Sequence, residues 1–209
     1  EGGRAFSVAN SPASVKASGE IELNVRIVKD GAGTAWLHEK LAVGSKLRIS
    51  GPYGRFFVRK SAQTPMVFMA GGSGLSSPRS MILDLLETNG ALPITLIYGQ
   101  RSRDELYYDE EFRALSAKHP NFTYVPALSD EAAGTDWQGA RGFVHDAAKA
   151  HFTNNFSGQK AYLCGPPVMV EACISTLMQG RLYERDIFTE KFLSAADANQ
   201  PRSPLFKRV

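Results

Sequence analysis

The chain has 209 residues, 43% hydrophobic and 22% charged, and 24 Lys and Arg against 21 Asp and Glu give a net charge of +3. This is the composition of a soluble globular protein with room for one large core or two small domains, and so small a positive excess does not demand a nucleic-acid surface. No apolar run reaches the length of a membrane span, and no leading stretch has the layout of a signal peptide.

Two cysteines, Cys164 and Cys173, are too few for a disulfide framework or a four-cysteine cluster, and the four histidines show no zinc spacing. No metal is expected, and a reducing cytoplasm is the expected compartment. In chain order, the first sixty residues read as β structure. The stretch 20–28, EIELNVRIV, alternates apolar and polar residues with period two, as a half-buried strand does. TAWLHEKL (34–41) is a short helical patch, and 45–58 has two strand-like halves around the turn Gly-Pro-Tyr-Gly.

Beyond residue 63 short apolar runs alternate with amphipathic segments. The runs are 65–70, 93–99, 122–128, 160–165 and 186–193; helical patterns occupy 77–90, 104–119, 143–152 and 166–180. Strand–helix alternation with continuous apolar strands predicts a parallel sheet covered on both faces. A domain boundary is therefore expected near 60–64, dividing the chain into 1–62 and 63–209. The tail 194–209 contains two prolines and is expected to be irregular.

Three places carry candidate chemistry. AGGSGLSS (70–77) joins the first parallel strand to its helix, and glycines there let a phosphate approach the backbone at a helix N-terminus. Ser73, Ser76 and Ser77 offer hydroxyl donors. The loop lacks the lysine of a P-loop and stands one residue off the dinucleotide fingerprint, so a ligand-free tight turn is an even alternative. LCGPP (163–167) ends another strand of the same sheet edge, where Cys164 taken alone reads as a small buried hydrophobe. In RAFSVAN (4–10), Arg4 and Phe6 share one strand face; arginine suits a phosphate and an aromatic suits a flat ring, although each alone is more often a solvated arginine and a core phenylalanine.

Taken in order, the stretches RAFS (4–7), GAGT (31–34), GPYG (51–54), GGSG (71–74), YGQR (98–101), CGPP (164–167) and EKF (190–192) resemble the ferredoxin–NADP⁺ reductase-like flavoproteins. The wording of GPYGRFFVRK, MAGGSGLSSPRSMILDLLE and NFTYVPALS looks most like reductase components of phenol hydroxylase-type diiron monooxygenases. The resemblance implies a partial antiparallel β-barrel for FAD followed by an α/β parallel-sheet domain for NAD(P)H. It implies an NAD(P)H-dependent flavin oxidoreductase that passes electrons through an iron–sulfur centre, held in a ferredoxin-type domain, to a diiron hydroxylase acting on aromatic compounds.

Residue roles follow from the same resemblance. Arg4 would meet the FAD pyrophosphate, Phe6 would lie against the flavin, and Ser7 would hydrogen-bond near its N5. Gly31, Gly33 and Thr34 would hold FAD phosphates at a helix start, and Tyr53 belongs to the flavin side. Gly71, Gly72, Ser73, Gly74 and the following Ser76 would receive the nicotinamide pyrophosphate, with Arg101 beyond the second strand. Cys164 would sit near the nicotinamide with Gly165 and Pro166, positioning the hydride donor, and Phe192 would shield the flavin ring. Cys164 and Ser7 are the expected catalytic residues. Where NADPH-using relatives carry Ser-Arg, this chain has Ser129 and Asp130, and an aspartate repels a 2′-phosphate; Arg101 and Arg103 argue the other way, and NADH is favoured.

The family has tyrosine where this chain has Phe6, which removes one flavin hydrogen bond. The family also places strands ahead of the Arg-x-aromatic-Ser motif, where this chain has three residues. The expectation is a fragment with an open barrel, exposed strand edges and weakened FAD affinity. The alternative is a nicotinamide-nucleotide-binding fragment without flavin or activity. No nucleic-acid or membrane partner is expected.

Overall fold

The structure is a computed structural model that describes residues 4–28, 31–88 and 91–192. The tail 194–209 lies outside the described residues. Six strands form one sheet: β1 (Met66–Gly71), β2 (Ile94–Gln100), β3 (Phe122–Leu128), β4 (Ala140–Arg141), β5 (Lys160–Gly165) and β6 (Ile187–Lys191). Their order is β4-β3-β2-β1-β5-β6, and every neighbouring pair is parallel. Each expected apolar run is one of these strands. The two-residue β4 was not expected, since two residues carry no periodicity to read.

The sheet is parallel because its strands are apolar on both faces. Along β1 every residue is buried, and alternate side chains enter different cores. Val67 and Met69 join Ile97 and Leu163 under α5 (Val144–His151) and α6 (Pro167–Gln179). Met66, Phe68 and Ala70 join Leu96, Tyr98 and Tyr162 under α3 (Ser76–Thr88) and α4 (Asp109–Lys118). On that second face Phe68, Tyr162 and Phe188 stack in a row across β1, β5 and β6, with ring centroids 5.0 and 5.1 Å apart.

The N-terminal stretch departs from the expectation. The barrel strands expected over 20–28 and 45–58 form no ladder among the described residues; one isolated antiparallel bridge, Val8–Leu23, is present, with the Ala9 N–H donating to the Glu22 carbonyl at 2.8 Å. A strand's backbone groups need a neighbouring strand in register, and hydrophobic alternation alone does not supply one. Ile27, Leu47 and Ile49 remain more than half exposed.

Two short helices stand in this stretch, α1 (Pro12–Ser18) and α2 (Ala32–Glu39). The second is the helical patch read from the sequence. The first was missed although its ends are spelled out. Ser11 caps it by accepting from the Ser14 N–H at 3.2 Å, Pro12 occupies its first turn, and Gly19 closes it in the left-handed region.

Both cysteines are fully buried, and burial pushes both thiols well above their ordinary range, Glu190 adding to the effect at Cys164. The folded state therefore keeps both protons while the unfolded chain releases them near pH 8.5. Stability is complete below that pH and falls as pH rises above it, by about 2 kcal/mol per thiol between about pH 8 and pH 10. Urea unfolding across this range should show the loss, and Cys173→Ala should remove about half of it.

Candidate functional site

The strand order reverses between β1 and β5, and the crevice beyond their carboxyl ends is where open α/β sheets take ligands. Here β1 runs into a turn of 3₁₀-helix, Gly72–Leu75, which leads into α3. Gly72 has φ +58°, and its carbonyl accepts from the buried Tyr98 hydroxyl at 3.4 Å. A Cβ on Gly74 would lie 2.5 Å from the Cys164 carbonyl oxygen and 2.7 Å from the Gly165 Cα. The loop thus rests on the main chain of β5 with no room for a side chain. Beyond β5, Gly165 and Pro166 lead directly into α6, with Pro167 in its first turn. Two helix N-termini and their unpaired N–H groups converge on one crevice.

Glu190 lies at its floor. It is the register partner of Cys164 on β6. One carboxylate oxygen, Oε2, accepts from Ser7 Oγ at 3.2 Å and from Ser77 Oγ at 3.1 Å, with Cys164 Sγ at 3.7 Å. The two residues expected to be catalytic, 157 positions apart in sequence, therefore meet at a carboxylate that sequence reasoning passed over. The motif EKF was noted, but only its phenylalanine was given a role; a glutamate in an apolar run reads as the solvent side of a strand. The raised thiol is an S–H group and not a thiolate, which fits contact and positioning and not nucleophilic attack.

The serines of the loop divide. Ser76 is buried and donates to the Ser73 carbonyl at 3.1 Å, and Ser77 is turned to Glu190, so these two hydroxyls are engaged within the protein. In their place Arg26, absent from the sequence reading, reaches the loop: its Nη1 would stand 3.6 Å from a Cβ on Gly72. Arg26 also pairs with Glu105 at 3.8 Å. Strand alternation places such an arginine in solvent, and no local signal distinguishes it.

A second anion cradle lies in the N-terminal stretch. Gly31 is the N-cap of α2, and the aliphatic stem of Arg4 packs over Gly33, where a Cβ would meet Arg4 Cγ at 3.2 Å. Thr34 accepts from the Val28 N–H at 3.0 Å and donates to the Gly31 carbonyl at 3.3 Å, so its hydroxyl closes the turn. Phe6 is partly exposed two residues along from Arg4, and Tyr53 is 84% exposed. Phe192 follows β6 and its N–H donates to the Gly165 carbonyl at 3.1 Å, which fixes it at the crevice.

The remaining candidates sit at the ends of β2 and β3. The Asp130 N–H donates to the Arg101 carbonyl at 3.0 Å, and Ser129 Oγ donates to Asp130 Oδ1 at 2.9 Å. Arg101 is ion-paired with Glu105 at 2.9 Å, and Arg103 with Glu131 and Asp136. The arginines that argued for a 2′-phosphate are thus already faced by carboxylates. The glycine loop with Arg26 and the α2 cradle with Arg4 both have the donors a pyrophosphate needs, so the residues present fit NAD(P)H and the phosphates of FAD. Among the described residues no three His, Cys, Asp or Glu side chains are grouped to hold a metal, and no helix is long and apolar enough to cross a membrane.

Gly74→Ala drives a methyl group into the β5 main chain and must displace the loop or the strand. Affinity for NADH or ADP-ribose, measured by calorimetry, should fall on the order of a hundredfold, with about 1–3 kcal/mol lost in urea unfolding.

Comparison with known proteins places this geometry. Residues 68–174 match the oxidoreductase NAD-binding domain family, and residues 2–58 match the oxidoreductase FAD-binding domain family. The reductase component DmpP of phenol 2-monooxygenase from Pseudomonas sp. (strain CF600) is 58% identical over 211 residues, covering 100% of this chain and 59% of that protein. The crystal structure of the Amycolatopsis cytochrome P450 reductase GcoB superposes with a TM-score of 0.78 at 32% identity, over 90% of this chain and 55% of the other. A ferredoxin NADP⁺ reductase from Neisseria gonorrhoeae, at 20% identity and TM-score 0.68 over 90% of this chain and 79% of the other, shares the fold. The chain belongs to the oxidoreductase NAD-binding domain family, in a ferredoxin–NADP⁺ reductase-like fold, with an oxidoreductase FAD-binding domain ahead of it.

Proposed function

We propose that this chain is the flavin and nicotinamide part of the reductase of an aromatic monooxygenase, with 1–62 serving FAD and 63–209 serving NADH. The observation that carries this reading is the meeting of Ser7, Ser77 and Cys164 at Glu190, which joins the N-terminal stretch to the end of the glycine loop and to β5. FAD and NADH, when bound, supply the hydride chemistry and the conversion of an electron pair into single electrons. The protein's part is to bind, orient and exclude water. Arg4 and the first turn of α2 hold the FAD phosphates, and Phe6 lies along the flavin. Gly71, Gly72, Ser73 and Gly74, with Arg26, hold the nicotinamide pyrophosphate through main-chain N–H groups and one guanidinium.

Between them, Glu190 accepts the single protons of the Ser7 hydroxyl and the Cys164 thiol, so the positions of both side chains are set before either ring arrives. Phe192 covers the flavin ring in the absence of nucleotide. Ser129 and Asp130 select NADH, because a 2′-phosphate would meet Asp130 and two arginines already held by Glu105, Glu131 and Asp136. The relative DmpP is named as the reductase component of phenol 2-monooxygenase, which supports a diiron hydroxylase as the final acceptor and a ferredoxin-type iron–sulfur domain as the carrier between. This chain spans 59% of the length of that relative, and its two cysteines leave such a cluster to another domain. The cytoplasm is the compartment this chemistry suits.

A second reading rests on a specific observation. Among the described residues 4–58 there is one isolated bridge and no ladder, which favours a chain that binds the nicotinamide nucleotide without flavin. A visible spectrum separates the two. Protein mixed with FAD, desalted and given NADH without oxygen should keep a flavin band that bleaches; a colourless protein that still binds NADH establishes the second reading. On the first reading, Asp130→Asn with Glu105→Gln should raise kcat/KM for NADPH about tenfold with little change for NADH, measured with an artificial acceptor.

A further inference from the structure

Arg79 lies in α3, one turn beyond the glycine loop, and is 8% exposed. Its guanidinium is divided among three partners in different parts of the chain. Nε and Nη2 form a bidentate pair with Glu111 of α4, at 2.7 and 2.9 Å. The third nitrogen, Nη1, donates to the Ala9 carbonyl and to Glu22 Oε2, both at 2.9 Å. Ala9 and Glu22 belong to the two segments joined at the Val8–Leu23 bridge, so one buried cation grips both sides of it.

The Tyr108 ring lies under the guanidinium, 4.1 Å from its carbon to the ring centroid. The Tyr108 hydroxyl stands 2.6 Å from Glu22 Oε1 and 2.6 Å from Asn24 Oδ1. One O–H cannot donate to both oxygens, while Asn24 Nδ2 is buried without a hydrogen-bond partner. Turning the Asn24 amide by half a revolution gives each proton one acceptor: Nδ2 donates to the Tyr108 oxygen, and the hydroxyl donates to Glu22. Burial and Glu22 push Tyr108 up to about 12, which keeps that donor protonated. Glu22 is held below the ordinary carboxylate range by the Tyr108 hydroxyl, against the cost of burial, with Arg79 adding to the hold.

We infer that Arg79, with Glu22 and Tyr108, is the positioning element that sets Ser7 against Glu190 and so fixes the flavin side relative to the nicotinamide loop. Ser7 is two residues from Ala9, and its own contact to Glu190 is a single hydrogen bond of 3.2 Å at the crevice. A single bridge leaves residues 4–9 without a ladder, and the charge-assisted contacts of a buried arginine are the strong constraint on them. The same helix carries Ser77 at one end of its first turn and Arg79 in the next position but one, so loop and grip move as one body. The inference rests on the reading of the function given above, in which a displaced Ser7 means misaligned rings.

The test separates the cross-chain half of the network from its local half. Glu22→Ala with Tyr108→Phe removes the Glu22 side-chain contacts of the former, leaving Nη1 on the Ala9 carbonyl alone, and keeps the Arg79–Glu111 pair; Glu111→Gln weakens the latter. In the first variant, amide hydrogen exchange over residues 5–11 should quicken at least tenfold, and anaerobic reduction of bound FAD by NADH should slow by about tenfold or more, with NADH affinity kept. Glu111→Gln should lower the unfolding midpoint while leaving exchange over 5–11 at the wild-type rate. Unchanged exchange, or quickened exchange with unchanged flavin reduction, would overturn the inference. If the wild-type chain takes up no flavin, the reading of the function fails by that result, and the exchange measurement alone decides whether Arg79 holds residues 5–11.

Discussion

The contact of Gly74 with the main chain of Cys164 and Gly165 is the constraint on which the site depends. Strands β1 and β5 are neighbours, and each must leave the sheet at the same place and turn into a helix. With a side chain at residue 74 the loop could not lie on β5, and the N-termini of α3 and α6 would stand apart. Because it does lie there, two sets of free N–H groups and two helix dipoles point into one crevice. The same contact brings Ser77 over β5 and within reach of Glu190 on the next strand. A residue chosen for its lack of volume therefore determines where the polar chemistry stands.

Charge is then arranged by position within that crevice. Arg26 stands beside the glycine loop and Arg4 beside the start of α2, while the carboxylate of Glu190 is held by Ser7 and Ser77. A carboxylate repels a pyrophosphate and tolerates a neutral ring system. Three donors, Ser7, Ser77 and Cys164, hold the Glu190 carboxylate in place. The raised thiol of Cys164 belongs to the same arrangement, since a thiolate beside Glu190 would put two negative charges in contact.

How much of this was legible in the sequence depends on the range of the interactions. The parallel sheet was, because Met66–Gly71 and Lys160–Gly165 are apolar throughout and each is followed by a helical pattern. The glycine loop and Cys164 were placed on one sheet edge for the same reason. Helix α1 was available from Ser11, Pro12 and Gly19 and was hidden by the β-like text around it. Glu190, Arg26 and Arg79 were not readable. Each is a charged residue whose local pattern assigns it to solvent, and each acquires its role from partners far away in sequence. The strands of 20–28 and 45–58 failed in the opposite sense: their periodicity is real, but a ladder also needs a neighbour.

That failure bears on how the two parts cooperate. In 20–58 the alternating apolar residues Ile27, Leu47, Ile49 and Phe57 are all more than half exposed, so burial of their own side chains does not order this stretch. Phe56 and Val58 pack on the core under α3 and α4, and the residues flanking the stretch are tied to the α/β part. The Arg59 N–H donates to the Tyr162 hydroxyl at 2.8 Å, at the edge of the aromatic row under the sheet. Lys60 pairs with Asp84, Ser80 donates to the Asn10 carbonyl, and Arg79 grips the Val8–Leu23 bridge. All of these partners lie on the α3 face of the sheet. The N-terminal stretch is therefore held against the face that carries the glycine loop, and its place there is set by contacts to α3 and β5.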